Sequence, residues 1–197
     1  MEYEGEFRYF IKWNGKGYDE SDNIIYELIN GKGNVKEYYD NGKLYYEGEY
    51  LNGKKNGKGK KYYYWGQLKF EGEYLNDKRN GKGKEYFNGN LIYEGEYLND
   101  ERIGNGKEYY KGQLIFEGKY LYNNRIKGRE YKNGILEFEG EYNYSKKWNG
   151  KGYDSNGNII YELINGNGKV KEYNFDGKLI YDGEYLYGKK KWKRKRI

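Results

Sequence analysis

Cysteine, histidine, proline, alanine and threonine are all missing from this chain of 197 residues. Without cysteine there is no disulfide framework and no thiol chemistry. Without histidine, the serines at Ser21, Ser145 and Ser155 have no imidazole base to activate them. Apolar residues are scarce as well: 36% of the chain is hydrophobic, 35% is charged and the mean hydropathy is −1.31, so a thick core is excluded. No apolar run approaches membrane-spanning length, and Met1-Glu2-Tyr3-Glu4-Gly5 has neither a basic nor an apolar leader region. These absences lead us to expect a soluble, cytoplasmic product.

What is abundant is glycine, 31 residues, and tyrosine, 29. Aromatics make up 20%, which separates the chain from disordered sequences of similar polarity. A tyrosine ring packs on a sheet while its hydroxyl stays near water, which suits a thin layer with wet faces.

The residues are organised as a repeat. Residues 66–89 and 89–112 are variants of one sentence, and the phrase E-G-E-Y or a close relative is centred at Gly5, Gly48, Gly72, Gly95, Gly118, Gly140 and Gly183. Leu28 and Leu163 occupy the same slot in two variant units, and successive intervals run from 20 to 24 residues. Such a period marks a stacked array whose units complete their core only against neighbours. Residues 1–50 also recur at 136–185 with a constant offset of 135, so the two variant units are inherited features of a duplicated block.

Within one unit, Leu68, Phe70, Gly72 and Tyr74 alternate with Lys69, Glu71, Glu73 and Leu75, the two-residue period of a strand. A turn containing Asn76-Asp77 and Asn80-Gly81 is expected next, then a second strand through Lys82–Phe87. Asn-Gly recurs at Asn14-Gly15, Asn41-Gly42, Asn56-Gly57 and Asn133-Gly134, and reads as a hairpin-turn signal. The fixed glycines predict that an aromatic ring lies across bare backbone at Gly72 and Gly83. Glutamates and lysines facing each other across strands set the register. The predicted fold is all-β: an elongated single-layer antiparallel sheet of tandem β-hairpins, about nine units, roughly 85 Å long at ~4.8 Å per strand. The array is expected over residues 1–188, with a basic tail at 189–197.

The run from Phe70 through Gly72, Tyr74, Gly81 and Gly83 to Tyr86 resembles the MORN repeat, with related runs beginning at Tyr46, Tyr93 and Phe138. Leu28 and Leu163 depart from the pattern at the first glycine, Ile126 at the Gly-x-Gly, and Asp77 and Asp100 at the mid-turn glycine; each departure is expected to weaken its unit. The resemblance implies a twisted sheet of consecutive hairpins used in scaffolding, protein binding and membrane association. It also implies an alternative, an antitoxin-like neutraliser of a bacterial toxin.

Three groups of residues compete as sites. Gly-x-Gly occurs seven times, but no helical pattern follows to open a phosphate cradle. Paired carboxylates at Glu4/Glu6, Glu47/Glu49, Glu71/Glu73, Glu94/Glu96 and Glu139/Glu141 recur too often for a singular active site, so no catalytic residue, cofactor or metal is expected. The aromatic ladder Tyr50, Tyr74, Tyr97, Tyr120 and Tyr142 reads either as packing between repeats or as a protein-binding face. The last nine residues hold seven basic side chains of a chain whose net charge is +6, leaving the body at −1 and disfavouring nucleic acid there. Lys189, Lys190, Lys191, Trp192, Lys193, Arg194, Lys195 and Arg196 therefore form a candidate contact for anionic phospholipid, peripheral at the inner face of a membrane, with the indole at the headgroup boundary.

Overall fold

The structure is a computed structural model that describes residues 3–173 and 178–191. Among these residues there is no helix, and the chain forms antiparallel hairpins throughout. It divides into two compact units after Glu101. The first holds β1 (Tyr3–Arg8), β2 (Ile11–Tyr18), β3 (Ile24–Leu28), β4 (Gly33–Tyr38), β5 (Leu44–Leu51), β6 (Lys54–Tyr62), β7 (Leu68–Leu75), β8 (Lys78–Phe87) and β9 (Asn90–Leu98). The second holds β10 (Glu101–Tyr110), β11 (Gln113–Leu121), β12 (Asn124–Lys132), β13 (Ile135–Asn143), β14 (Lys146–Tyr153), β15 (Ile159–Leu163), β16 (Gly168–Tyr173), β17 (Leu179–Leu186) and β18 (Lys189–Lys191). In the first unit β1 to β3 form one sheet and β4 to β9 follow in chain order in another. In the second, β10 to β15 follow in order and β16 to β18 stand as their own sheet.

The expected alternation holds. In β7, Phe70 and Tyr74 are buried while Lys69, Glu73 and Leu75 are exposed. Gly72 pairs with Gly59 on one side and Gly83 on the other, so the middle of both strand pairs is a glycine facing a glycine. The Phe70 ring lies over this bare backbone: a Cβ added at Gly83 would stand 2.4 Å from its Cζ. Phe116 covers Gly128 in the same way, with 2.6 Å between a Cβ there and Cζ. Rings then meet edge to face along each unit. Phe70 contacts Tyr74 and Tyr97 at 5.5 and 5.4 Å, and Phe116 contacts Tyr120 and Tyr142 at 5.5 Å each. This spacing is the favoured arrangement of aromatic quadrupoles. Each unit's core is thus one layer of rings lying on glycine.

The layer changes between β3 and β4, at Leu28 and Val35. These two take the positions that Gly72 and Gly83 hold elsewhere; Leu28 still faces Gly15, and Val35 still faces Gly48. Two side chains do not fit where even one Cβ, added at Gly72, would stand 2.6 Å from the Cα of Gly83. The ladder between β3 and β4 shrinks to one bridge, Ile29 to Lys32, while Leu28 and Val35 are almost fully buried. Leu163, Val170 and the bridge Ile164 to Asn167 repeat this break in the second unit.

The turn assignment needs a correction. Asn76 and Asp77 alone make the turn, with φ of 50° and 70°, the doubly left-handed geometry of a type I′ hairpin. Asn80-Gly81, Asn56-Gly57 and Asn14-Gly15 lie inside strands beside register shifts, and Gly57 and Gly81 there adopt φ of 86° and 97°. Positive φ is needed at a bulge as much as at a turn, so Asn-Gly marks either. Asn133-Gly134 is a two-residue turn as expected.

Asp77 and Asp100 also act otherwise than expected. Asp77 donates its N–H to the Lys55 carbonyl at 2.9 Å, and its Oδ1 accepts the Lys55 N–H at 2.9 Å. Asp100 makes the same pair of bonds with Arg79, at 3.0 Å each. In the second unit Asn123 does so with Arg102, and the Ser145 hydroxyl accepts the Arg125 N–H. These residues stitch each turn to the start of the strand after the preceding turn. Where glycine stands instead, as at Gly53 and Gly188, only the backbone bond forms.

Candidate interaction surface

The five ladder tyrosines go to the interior. Tyr50, Tyr74 and Tyr97 in the first unit and Tyr120 and Tyr142 in the second are between 2% and 8% exposed. This corrects their reading as a protein-binding face: the edge-to-face packing that orders them also hides them. Desolvation pushes the hydroxyls of Tyr50, Tyr74 and Tyr142 well above the ordinary tyrosine range. Among the described residues the Tyr74 and Tyr142 hydroxyls are buried without a hydrogen-bond partner.

A row of cations roofs the rings, and the sequence reading missed it. The second residue of the strand after each turn lays its charge on an aromatic face: Lys55 over Tyr46 at 4.4 Å, Arg79 over Tyr97 at 4.8 Å, Arg125 over Phe116 at 4.3 Å and Lys147 over Phe138 at 5.0 Å. Each is held by a glutamate: Lys55 by Glu37 at 3.6 Å, Arg79 by Glu85, Arg125 by Glu108 and Glu130, and Lys147 by Glu130 at 2.7 Å. Burial alone would raise the pKa of Glu108, but hydrogen bonds from Arg125 and Tyr120 outweigh it and hold the carboxyl below its usual range. Part of the signal was in the sequence: Lys55, Arg79, Arg125 and Lys147 each stand two residues after a turn, and Glu85 and Glu108 each follow Gly-x-Gly-x.

The carboxylate pairs divide into two structural duties. The first glutamate takes a tyrosine hydroxyl, Tyr62 to Glu47 at 2.7 Å and Tyr86 to Glu71 at 2.6 Å, and Glu117, followed by Lys119 instead of a second glutamate, takes that of Tyr131 at 2.6 Å. Desolvation and the bond to Glu71 push the Tyr86 hydroxyl up to about 12. The second glutamate serves the bulge, as Glu49 does by accepting the Lys58 N–H at 3.1 Å. Neither arrangement is unique to one repeat. Among the described residues no cluster of acidic side chains could hold a metal ion. A cavity of about 230 Å³ in the first unit is lined by Tyr3, Lys12, Tyr26 and Glu37 among others.

Exposed apolar residues recur at the repeat spacing. Leu51, Leu75 and Leu98 in the first unit and Leu121 in the second follow a buried tyrosine and face solvent, as does Leu186 after the half-buried Tyr185. Turn tyrosines Tyr122, Tyr144 and Tyr187 extend this surface in the second unit. At the basic end, Lys189, Lys190 and Lys191 form β18, so the array runs to residue 191 and not to 188. Lys190 pairs with Glu172 at 2.7 Å and Lys191 with Glu184 at 3.1 Å. Trp192, Lys193, Arg194, Lys195 and Arg196 lie outside the described residues.

The sequence model of the MORN repeat family matches three consecutive stretches, 46–67, 70–91 and 93–113. No curated protein matches the chain.

Proposed function

Since this chain is a MORN-repeat protein, we propose that it is a non-catalytic scaffold that binds other proteins through its exposed repeat surface. One observation carries this reading: each polar arrangement on the sheet recurs from hairpin to hairpin with a structural partner, as Glu47, Glu71 and Glu117 do with their tyrosines. Chemistry requires a singular constellation, whereas binding gains from a surface repeated along the chain. The exposed leucines and turn tyrosines supply apolar contact area, and the charged ladder around them supplies a polar rim.

Cross-linking of the intact chain in a lysate of its source cells, followed by mapping of the linked residues, tests this. Links to defined proteins should concentrate around the leucine and turn-tyrosine columns. Turnover of a glycoside panel that Glu71→Gln removes would overturn the reading in favour of an enzyme.

A lipid contact at the basic end is a separable property of the same scaffold. Because Lys190 and Lys191 already have carboxylate partners, the contact falls to Lys189 and residues 192–197. Deleting 192–197 should abolish co-sedimentation with phosphatidylserine vesicles. Equal sedimentation of the truncated chain would reassign the contact to the sheet.

A further inference from the structure

One inter-repeat turn differs from its counterparts. The five-residue connections at 19–23, 39–43 and 154–158 carry polar tips, Glu20-Ser21, Asp40-Asn41 and Ser155-Asn156, whereas the connection at 63–67 carries Tyr64-Trp65. Both rings are about half exposed, 50% and 49%. Nothing in the hairpin requires them, because the same turn forms at 39–43 with an aspartate and an asparagine.

The rings form a fixed platform. The Trp65 indole stacks on Tyr63 at 4.4 Å with 6° between the planes, and its N–H donates to Gln67 Oε1 at 3.1 Å. Phe87, itself exposed, meets Tyr63 edge-on at 6.1 Å, and Tyr64 meets Tyr39 at 5.2 Å. The backbone is pinned as well: Asn41 donates to the Tyr64 carbonyl at 2.9 Å, Lys43 to the Trp65 carbonyl at 3.2 Å and Tyr63 to the Tyr86 carbonyl at 3.2 Å. A platform ordered beforehand loses little entropy on binding. Only one indole face is covered by Tyr63; among the described residues no ring or cation lies on the other.

The surrounding charge selects the partner. Lys43 sits against the turn, Lys69 lies over Tyr63 at 5.0 Å and Lys61 over Tyr45 at 5.3 Å, and among the described residues none of the three has a carboxylate at ion-pair distance. Asp40, hydrogen-bonded to Tyr64, and Glu85, near Tyr63 and paired with Arg79, are acidic groups at the platform. We propose that the Tyr63, Tyr64, Trp65 and Phe87 platform is a docking site for a short acidic segment of a partner protein, which seats an apolar side chain on the free indole face and its carboxylates on Lys43, Lys61 and Lys69. The inference rests on the protein-binding reading and deepens it. Single-stranded nucleic acid also stacks on rings, but it needs a continuous basic track. Here Asp40, Glu47 and Glu71 interrupt the lysines on the same strands and turns.

Selection of a displayed dodecapeptide library on the intact chain tests the site. Enriched peptides should combine Asp or Glu with an aromatic residue or leucine. Their affinity should fall at least tenfold for Tyr64→Asp/Trp65→Asn, which installs the tip already used at 40–41 and so leaves the circular dichroism spectrum and Tm unchanged. The triple variant Lys43→Gln/Lys61→Gln/Lys69→Gln should weaken binding and flatten its salt dependence. Enriched peptides that bind the turn variant equally would overturn the platform while leaving the scaffold reading standing, and a library that enriches no peptide overturns the platform too. If dodecathymidylate binds more tightly than any peptide and is lost with Trp65→Asn, the site belongs to nucleic acid and the proposal fails.

Discussion

Between β7 and β8 two strands meet glycine to glycine beneath a phenylalanine ring; between β3 and β4, where Leu28 and Val35 stand, the ladder keeps a single bridge. Phe70 at the first place and Leu28 at the second are both almost fully buried, so burial alone does not decide whether the ladder continues. What decides is which atoms occupy the space between the backbones. At the glycine rungs the ring comes from the strand's own face and the backbones close beneath it. At the wedge the side chains take that space, and hydrogen bonding gives way to aliphatic packing. Leu163 and Val170 reproduce the wedge, so the break is a property of these residue types.

The comparison breaks most severely if a side chain is forced into a glycine rung. Gly72→Val would press backbone against backbone and the Phe70 ring, and should cost about 4 kcal/mol or more, read as a large fall in Tm with loss of cooperative melting. Emptying the wedge comes next: Leu28→Ala should cost about 3 kcal/mol in urea denaturation, the usual range for a buried leucine. Replacing both Leu28 and Val35 by glycine should extend the β3 to β4 pairing, seen as slower amide exchange at residues 24–28 and 33–38; unchanged exchange would refute the steric account.

Smaller effects come from the groups around the rings. Tyr86 keeps its proton up to about 12, while an unfolded tyrosine loses its own near 10.0. The raised value favours the folded state fully below pH ~10 and ceases to do so as pH rises through about 12, so alkaline unfolding should begin in that window and coincide with tyrosinate absorbance. Glu108 and Glu172 have the opposite sign, with carboxyls held below 4.5. For Glu172 burial acts upward but is outweighed by Lys190 and Tyr185. Their contribution is present above pH 4.5 and is lost as acid protonates them, which an acid titration of Tm should show. Smallest is Tyr74→Phe, which removes a buried hydroxyl without a partner and should leave stability unchanged or raise it by up to about 1 kcal/mol. A clear loss of stability would mean that the hydroxyl is hydrogen-bonded.

Most of the fold was legible because the period-2 pattern and the glycine spacing are local signals. Phe70 over Gly83 followed from them directly, and so did the Glu–Lys register. The bulges were not legible, because Asn-Gly satisfies a positive φ at a turn and in a strand alike. The aspartate stitches at Asp77 and Asp100 were missed because they join residues 22 and 21 positions apart, and a substitution for glycine reads as damage until its acceptor is seen. The ladder tyrosines had two readings that only three-dimensional packing separates. The Tyr64-Trp65 tip was visible as a departure from the repeat, but its free lysines were not, since pairing depends on neighbours across the sheet.

The stitched turns fix where the protein tolerates change. Every stitch needs a two-residue turn of left-handed geometry, and such turns stand at 52–53, 76–77 and 99–100 in the first unit and at 122–123, 144–145 and 187–188 in the second. The opposite edge has no such rule, and its connections range from two residues at 88–89 to the longer loops at 19–23 and 63–67. Within each unit one margin is therefore a fixed-length selvedge that counts hairpins, and the other is a fringe open to insertion and to new side chains. New binding specificities would arise on the fringe by substitution at a loop tip, with no cost to the weave.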